Sequence, residues 1–91
     1  MKSIDHKVEG GKLLRIDIKV EDNIIQKIKI TGDFFMYPEE AITIIEKKLI
    51  GVEINQIKNK IQEIITKREI KIIGFQAEDI EKAIKKINFN N

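Results

Sequence analysis

The chain has 91 residues, no cysteine, one histidine and a net charge of +2. That length holds one domain, expected over residues 1–91, and the composition excludes disulfides, thiolate nucleophiles, Cys-ligated zinc and iron–sulfur clusters. Seventeen basic against fifteen acidic side chains are too balanced for a nucleic-acid binder.

No signal peptide opens the chain, and no apolar run nears the roughly 20 residues that span a bilayer, so a soluble, cytoplasmic protein without a membrane partner is expected. The first third reads as strands. Ile4, His6 and Val8 alternate with charged residues, and Gly10-Gly11 supplies a turn. Leu14, Ile16, Ile18 and Val20 then alternate with Arg15, Asp17 and Lys19, the period-2 pattern of a half-buried strand. A third strand runs from Ile24 to Thr31. A two-residue loop at Asp22-Asn23 would set Ile18 against Lys27. A three-residue loop, Glu21 to Asn23, instead pairs Ile16 with Ile28, Leu14 with Ile30 and Asp17 with Lys27, and is the expected register. Asn23 takes the left-handed position of that loop.

The remainder reads mostly as helix. Pro38 fits a first helical position, with Glu39 and Glu40 in the first turn. Ala41, Ile42, Ile44, Ile45 and Leu49 form its apolar stripe, and Gly51 ends it. Asn55 is placed to cap a second helix that buries Ile57, Ile61, Ile64 and Ile65. Residues 69–73 fit a short extended piece. A third helix is expected from about Ala77 to Ile87, with Ile80, Ala83, Ile84 and Ile87 inward and a weakly specified start at Gln76. The fold class is therefore α+β: a three-stranded antiparallel meander followed by about three helices packed on one face.

Few residues suggest chemistry. Gly10-Gly11-Lys12 lacks the second glycine group, the Ser or Thr and the following helix of a phosphate loop, and reads as a hairpin turn. His6 has no second histidine or cysteine to share a metal, and reads as a core or sheet-edge residue. The mixed charges of the helices make a solvated face. The segment Thr31-Gly32-Asp33-Phe34-Phe35-Met36-Tyr37-Pro38 stands apart, because three of the five aromatics fall within four positions of a strand–helix connection. One Phe is expected to anchor the loop and the other rings to be available to another surface. Gly32 permits positive φ, and the Asp33 carboxylate is placed to bond the loop's own N–H groups.

These segments carry a resemblance. Gly10-Gly11-Lys12-Leu13-Leu14, the hairpin from Ile16 to Ile30, Ile30-Thr31-Gly32-Asp33-Phe34-Phe35, Pro38-Glu39-Glu40, Leu49-Ile50-Gly51 and Gly74 to Ile80 together resemble the C-terminal accessory domain of lipoate–protein ligases. The resemblance implies a non-catalytic accessory subunit, with ligase activity only in complex with a large catalytic subunit. That subunit would hold ATP, Mg2+ and lipoate and form lipoyl-AMP, then modify a lysine of lipoyl-domain acceptor proteins. This chain would bind no cofactor and contribute no catalytic residue. A start at Met1 without a linker remnant suits the separate-polypeptide form. The expected docking surface is Gly10, Gly11, Gly32, Asp33, Phe34, Phe35 and Tyr37, with Phe34 and Phe35 as anchors. The alternative is a non-catalytic binding module of similar fold that recruits another acyl-transfer or scaffold protein.

Overall fold

The computed structural model describes residues 1–10 and 12–87. Strands β1 (Lys2–Lys7), β2 (Leu13–Glu21) and β3 (Ile24–Gly32) form an antiparallel sheet in the order β1-β2-β3. Period-2 alternation turns Leu14, Ile16, Ile18, Ile28 and Ile30 to one face, where all are buried. On the opposite, solvated face Arg15 pairs with Asp5 at 3.2 Å and with Asp17 at 3.5 Å, and the Ser3 hydroxyl donates to Asp17. Such exposed pairs favour the register more than they stabilise the fold.

The β2–β3 register differs from the expected one by two residues. Ile16 lies opposite Ile30, Ile18 opposite Ile28 and Asp17 opposite Lys29. The loop is the two-residue Asp22-Asn23, with both residues at positive φ (52° and 64°) as a tight hairpin turn requires. A bulge reconciles this loop with an apolar face: Val20 pairs with Ile25 and Lys19 with Lys27, which leaves Gln26 as the extra residue. Ile25 and Ile28 therefore both point inward although three positions apart.

A short strand β4 (Phe35–Tyr37) follows, and the Tyr37–Pro38 peptide is cis. Helix α1 covers Ala41–Leu49, later than Pro38 suggested. Pro38 to Glu40 instead form a turn closed by the Ala41 N–H donating to the Pro38 carbonyl at 3.0 Å, so Glu39 and Glu40 precede the helix. Helix α1 lies along the outer edge of β3, where the Glu46 carboxylate accepts the Ile30 N–H at 2.7 Å. The chain leaving α1 covers the rest of that edge. The Gly51 N–H donates to the Ile25 carbonyl, the Ile25 N–H to Val52 and the Ile54 N–H to Asn23. Covering the edge removes a template for unwanted strand pairing.

That anchoring starts a 3-10 turn at Ile54–Gln56, so Asn55 sits inside it and does not cap the next helix. Helix α2 spans Ile57–Arg68 and buries Ile57, Ile61 and Ile64, with Ile65 half-buried. It ends on Glu69 in the left-handed conformation. The extended piece at 71–73 is strand β5 (Lys71–Ile73), which pairs antiparallel with β4 as a second, two-stranded sheet. Helix α3 covers Ala77–Lys85, shorter than the stretch to Ile87. Its start is better specified than Gln76 alone implied, because the Asp79 carboxylate accepts the Gln76 N–H at 2.7 Å from the third helical position.

Among the described residues, then, a three-stranded antiparallel sheet is followed by three α-helices, as the α+β reading required, with the β4–β5 ladder added. The core lies between the apolar sheet face and the helices. Ile16, Ile18, Ile25, Ile45, Ile57, Ile61 and Ile80 are at most 1% exposed. Each such side chain contributes about 1.5–3 kcal/mol relative to an exposed one.

Candidate interaction surface

The aromatic segment is not a loop. Gly32 ends β3 opposite Leu14, and the Asp33 N–H then donates to the Leu13 carbonyl at 2.9 Å. The main chain of Asp33 thus ties the segment to β2, whereas its exposed carboxylate makes no hydrogen bond among the described residues. Phe34 turns inward and meets Phe75 edge-to-face, with ring centroids 5.0 Å apart at 87°. It anchors the corner from within instead of offering itself outward. Alternation along β4 then sends Phe35 out, Met36 into the core and Tyr37 out.

Phe35 is 74% exposed and Tyr37 73%. Directly opposite Phe35 on β5 stands Ile73, 67% exposed, and opposite Tyr37 stands Lys71. Cross-strand partners have Cβ atoms about 5 Å apart, so Phe35, Ile73 and Tyr37 form one apolar surface of a few hundred Å². Leu13, 46% exposed, lies beside Asp33 at the same corner. Ile73 and Leu13 were missed in the sequence. Their signal is broken alternation: Leu13-Leu14 and Ile72-Ile73 each put two apolar residues side by side, and in a strand one of such a pair must face away from the core.

Gly10, exposed at φ +103°, closes the β1–β2 turn, which the Val8 N–H ties to the Lys12 carbonyl at 2.7 Å. Gly11 lies outside the described residues. This turn borders a cleft of about 610 Å³ whose far wall is Gly74 to Gln76 and the first turns of α3. The cleft therefore lies next to the end of β5; Gly32 and Asp33 lead directly into β4 with Phe35 and Tyr37, whereas Gly10 stands apart in the turn at the cleft's other wall.

His6, 7% exposed, is buried on the edge strand β1 and borders the same cleft. Its Nδ1 accepts a hydrogen bond from the Lys86 ammonium at 2.8 Å, which places the ring proton on Nε2. Burial first, then the charges of Lys86 and Lys82, hold the imidazole below its usual 6.5, with Asp79 opposing them. In the unfolded chain the ring takes up its proton at higher pH than in the fold. Folded stability should therefore fall as pH drops through the unfolded ring's ordinary value near 6.5, and be insensitive to this group well above it. Denaturant titrations on both sides of that value should show the loss in the parent chain and a flatter profile in His6→Gln. Equal pH slopes would remove His6 as the cause.

Among the described residues no group of three or more His, Cys, Asp or Glu is placed to hold a metal ion. What the corner offers is an outward apolar ladder on a rigid support.

Comparison with known proteins agrees in scale with this picture. A family model described as the bacterial lipoate protein ligase C-terminus matches residues 2–84. Lipoate-protein ligase A subunit 2 of Thermoplasma acidophilum is 34% identical over 87 residues, covering 96% of this chain and 90% of that relative. A solved structure of an archaeal bi-partite lipoate protein ligase and its E2 lipoyl domain, from the same organism, is similar with a TM-score of 0.81 and 32% identity. That match covers 92% of this chain and 93% of the other.

Proposed function

The chain belongs to the bacterial lipoate protein ligase C-terminus family, and from that premise we propose that it is the small, non-catalytic subunit of a two-part lipoate–protein ligase. The observation that supports this most is the near end-to-end match, in both directions, to a relative that is itself a subunit. The large catalytic subunit would bind ATP, Mg2+ and lipoate and form lipoyl-AMP. It would then pass the lipoyl group to a lysine of a lipoyl-domain acceptor. An ATP-dependent reaction of this kind belongs in the cytoplasm.

The small subunit's part is conformational. Adenylation develops charge at the α-phosphate and needs water kept out, and both depend on ordered loops around the nucleotide. A rigid surface docked beside those loops lowers the cost of ordering them without supplying a reacting group. Phe35, Ile73 and Tyr37, with Leu13, Gly32 and Asp33 beside them and the Gly10 turn at the margin, form that docking surface. Phe34 supports it from behind.

The test is lipoate-dependent ATP–pyrophosphate exchange. The large subunit alone and this chain alone should stay at background, and mixing them should restore exchange. Full exchange by the large subunit without this chain would overturn the proposal.

A further inference from the structure

A second surface lies on the helical layer, at the end of α2 that leads within three residues into β5. Lys48 from the last turn of α1 and Lys60, Lys67 and Arg68 from α2 surround a depression of about 300 Å³ that includes Ile64. One carboxylate, Glu63, joins them and pairs with Lys60 at 3.8 Å. Among the described residues no ion pair forms at Lys48, Lys67 or Arg68. Helix dipoles account for cations in the last turn of each helix. They do not account for Lys60, well before the last turn of α2, nor for the convergence of cations from two helices on one depression. Four cations against one carboxylate leave a local excess of three in a chain whose net charge is only +2.

We propose that this depression receives a cluster of carboxylates on the acceptor protein whose lysine is modified, an inference that rests on the ligase reading above. The chemistry of the two surfaces divides their roles. An outward apolar ladder suits a lasting contact between subunits, because its burial is favourable only while the partner stays. Solvated, long-chained cations suit an encounter that must form quickly and release after each turnover. An acceptor is such a partner. Nucleic acid fits less well: no aromatic ring borders the depression to stack a base, and Glu63 would face the phosphates.

The experiment uses the two-subunit complex with its acceptor lipoyl domain and the combined Lys48→Gln, Lys67→Gln, Arg68→Gln variant. The acceptor KM should rise about tenfold at low salt and lose most of its salt dependence, while ATP–pyrophosphate exchange stays at the parent rate. The combined Lys48→Arg, Lys67→Arg variant, which keeps the charge, should leave KM unchanged. An unaltered KM in the Gln variant would overturn the proposal. So would loss of exchange, since the cations would then serve the subunit contact or adenylation. Tighter binding of the chain to an oligonucleotide than to the acceptor domain would overturn it as well. Should the parent complex show no exchange at all, the ligase reading fails instead. The depression is then judged by NMR titration of the chain with the acceptor domain, where salt-sensitive shifts at Lys48, Lys67 and Arg68 support it and their absence overturns it.

Discussion

Gly32→Ala is expected to cost the fold about 3–5 kcal/mol, the sum of a backbone penalty and a clash that cannot relax. Gly32 sits at φ +145°, where L side chains are strained whatever the space around them. There is also no space. An added Cβ would run into the Leu13 carbonyl oxygen and stand 3.0 Å from the Leu14 Cα. Both are main-chain atoms of β2, held by the ladder, and Leu14 is part of the core. Moving them would break the Asp33 N–H bond to Leu13 and with it the start of β4. A domain of this size has about 5–10 kcal/mol of stability, so thermal unfolding should shift down by roughly 15–25 °C. Gly10→Ala is the control. Gly10 also has positive φ, at +103°, but nothing lies within 4 Å of an added Cβ. It should cost only about 1 kcal/mol. Equal shifts in melting temperature for the two variants would mean that the close approach at Gly32 is not rigid.

What the sequence made legible follows from how local each determinant is. The alternation in β2 and the 3.6-residue stripes in α1, α2 and α3 are local, and they located the core. The hairpin register differs from the expected one by two residues along most of β2 because a bulge makes a two-residue loop compatible with an apolar face. Nothing in Gln26 itself announces that it will be the unpaired residue. Up to the bulge the shift of two keeps Ile28 and Ile30 on their face, whereas beyond it the shift of one turns Ile25 inward. The Asp79 cap was within reach, since an acid three residues after Gln76 at the helix start is a known capping pattern. Strand β5 was legible only as an extended piece at 69–73; its pairing with β4 has no local signature. The Lys86–His6 contact spans 80 residues of sequence and was invisible for the same reason. At the corner, aromatic density pointed to a surface but not to which ring faced out. Only the pairing of β4 with β5 fixes Phe34 inward and Phe35 outward.

That orientation sets the second large effect. Phe35→Ala should weaken the complex with the large subunit by about 2–3 kcal/mol, roughly 30- to 150-fold in Kd, as for a central aromatic anchor. Ile73→Ala, on the paired position, should lose less, because a smaller side chain leaves the interface. The two losses should not add, since the side chains are cross-strand neighbours and each supports the other's contact. The fold should hardly notice. Phe35 and Ile73 are 74% and 67% exposed, so their truncation changes stability by about 0.5 kcal/mol or less. This separates a docking role from a structural one: affinity falls while the melting temperature stays. Asp17→Ala gives the opposite pattern, since Asp17 bonds Ser3 and Arg15 on the solvated sheet face, remote from the ladder. It should lower stability slightly and leave Kd alone. Titration calorimetry with the large subunit measures all three. If Phe35→Ala binds as tightly as the parent chain, the outward ladder is not the contact that joins the subunits, and the docking surface must be sought on another face.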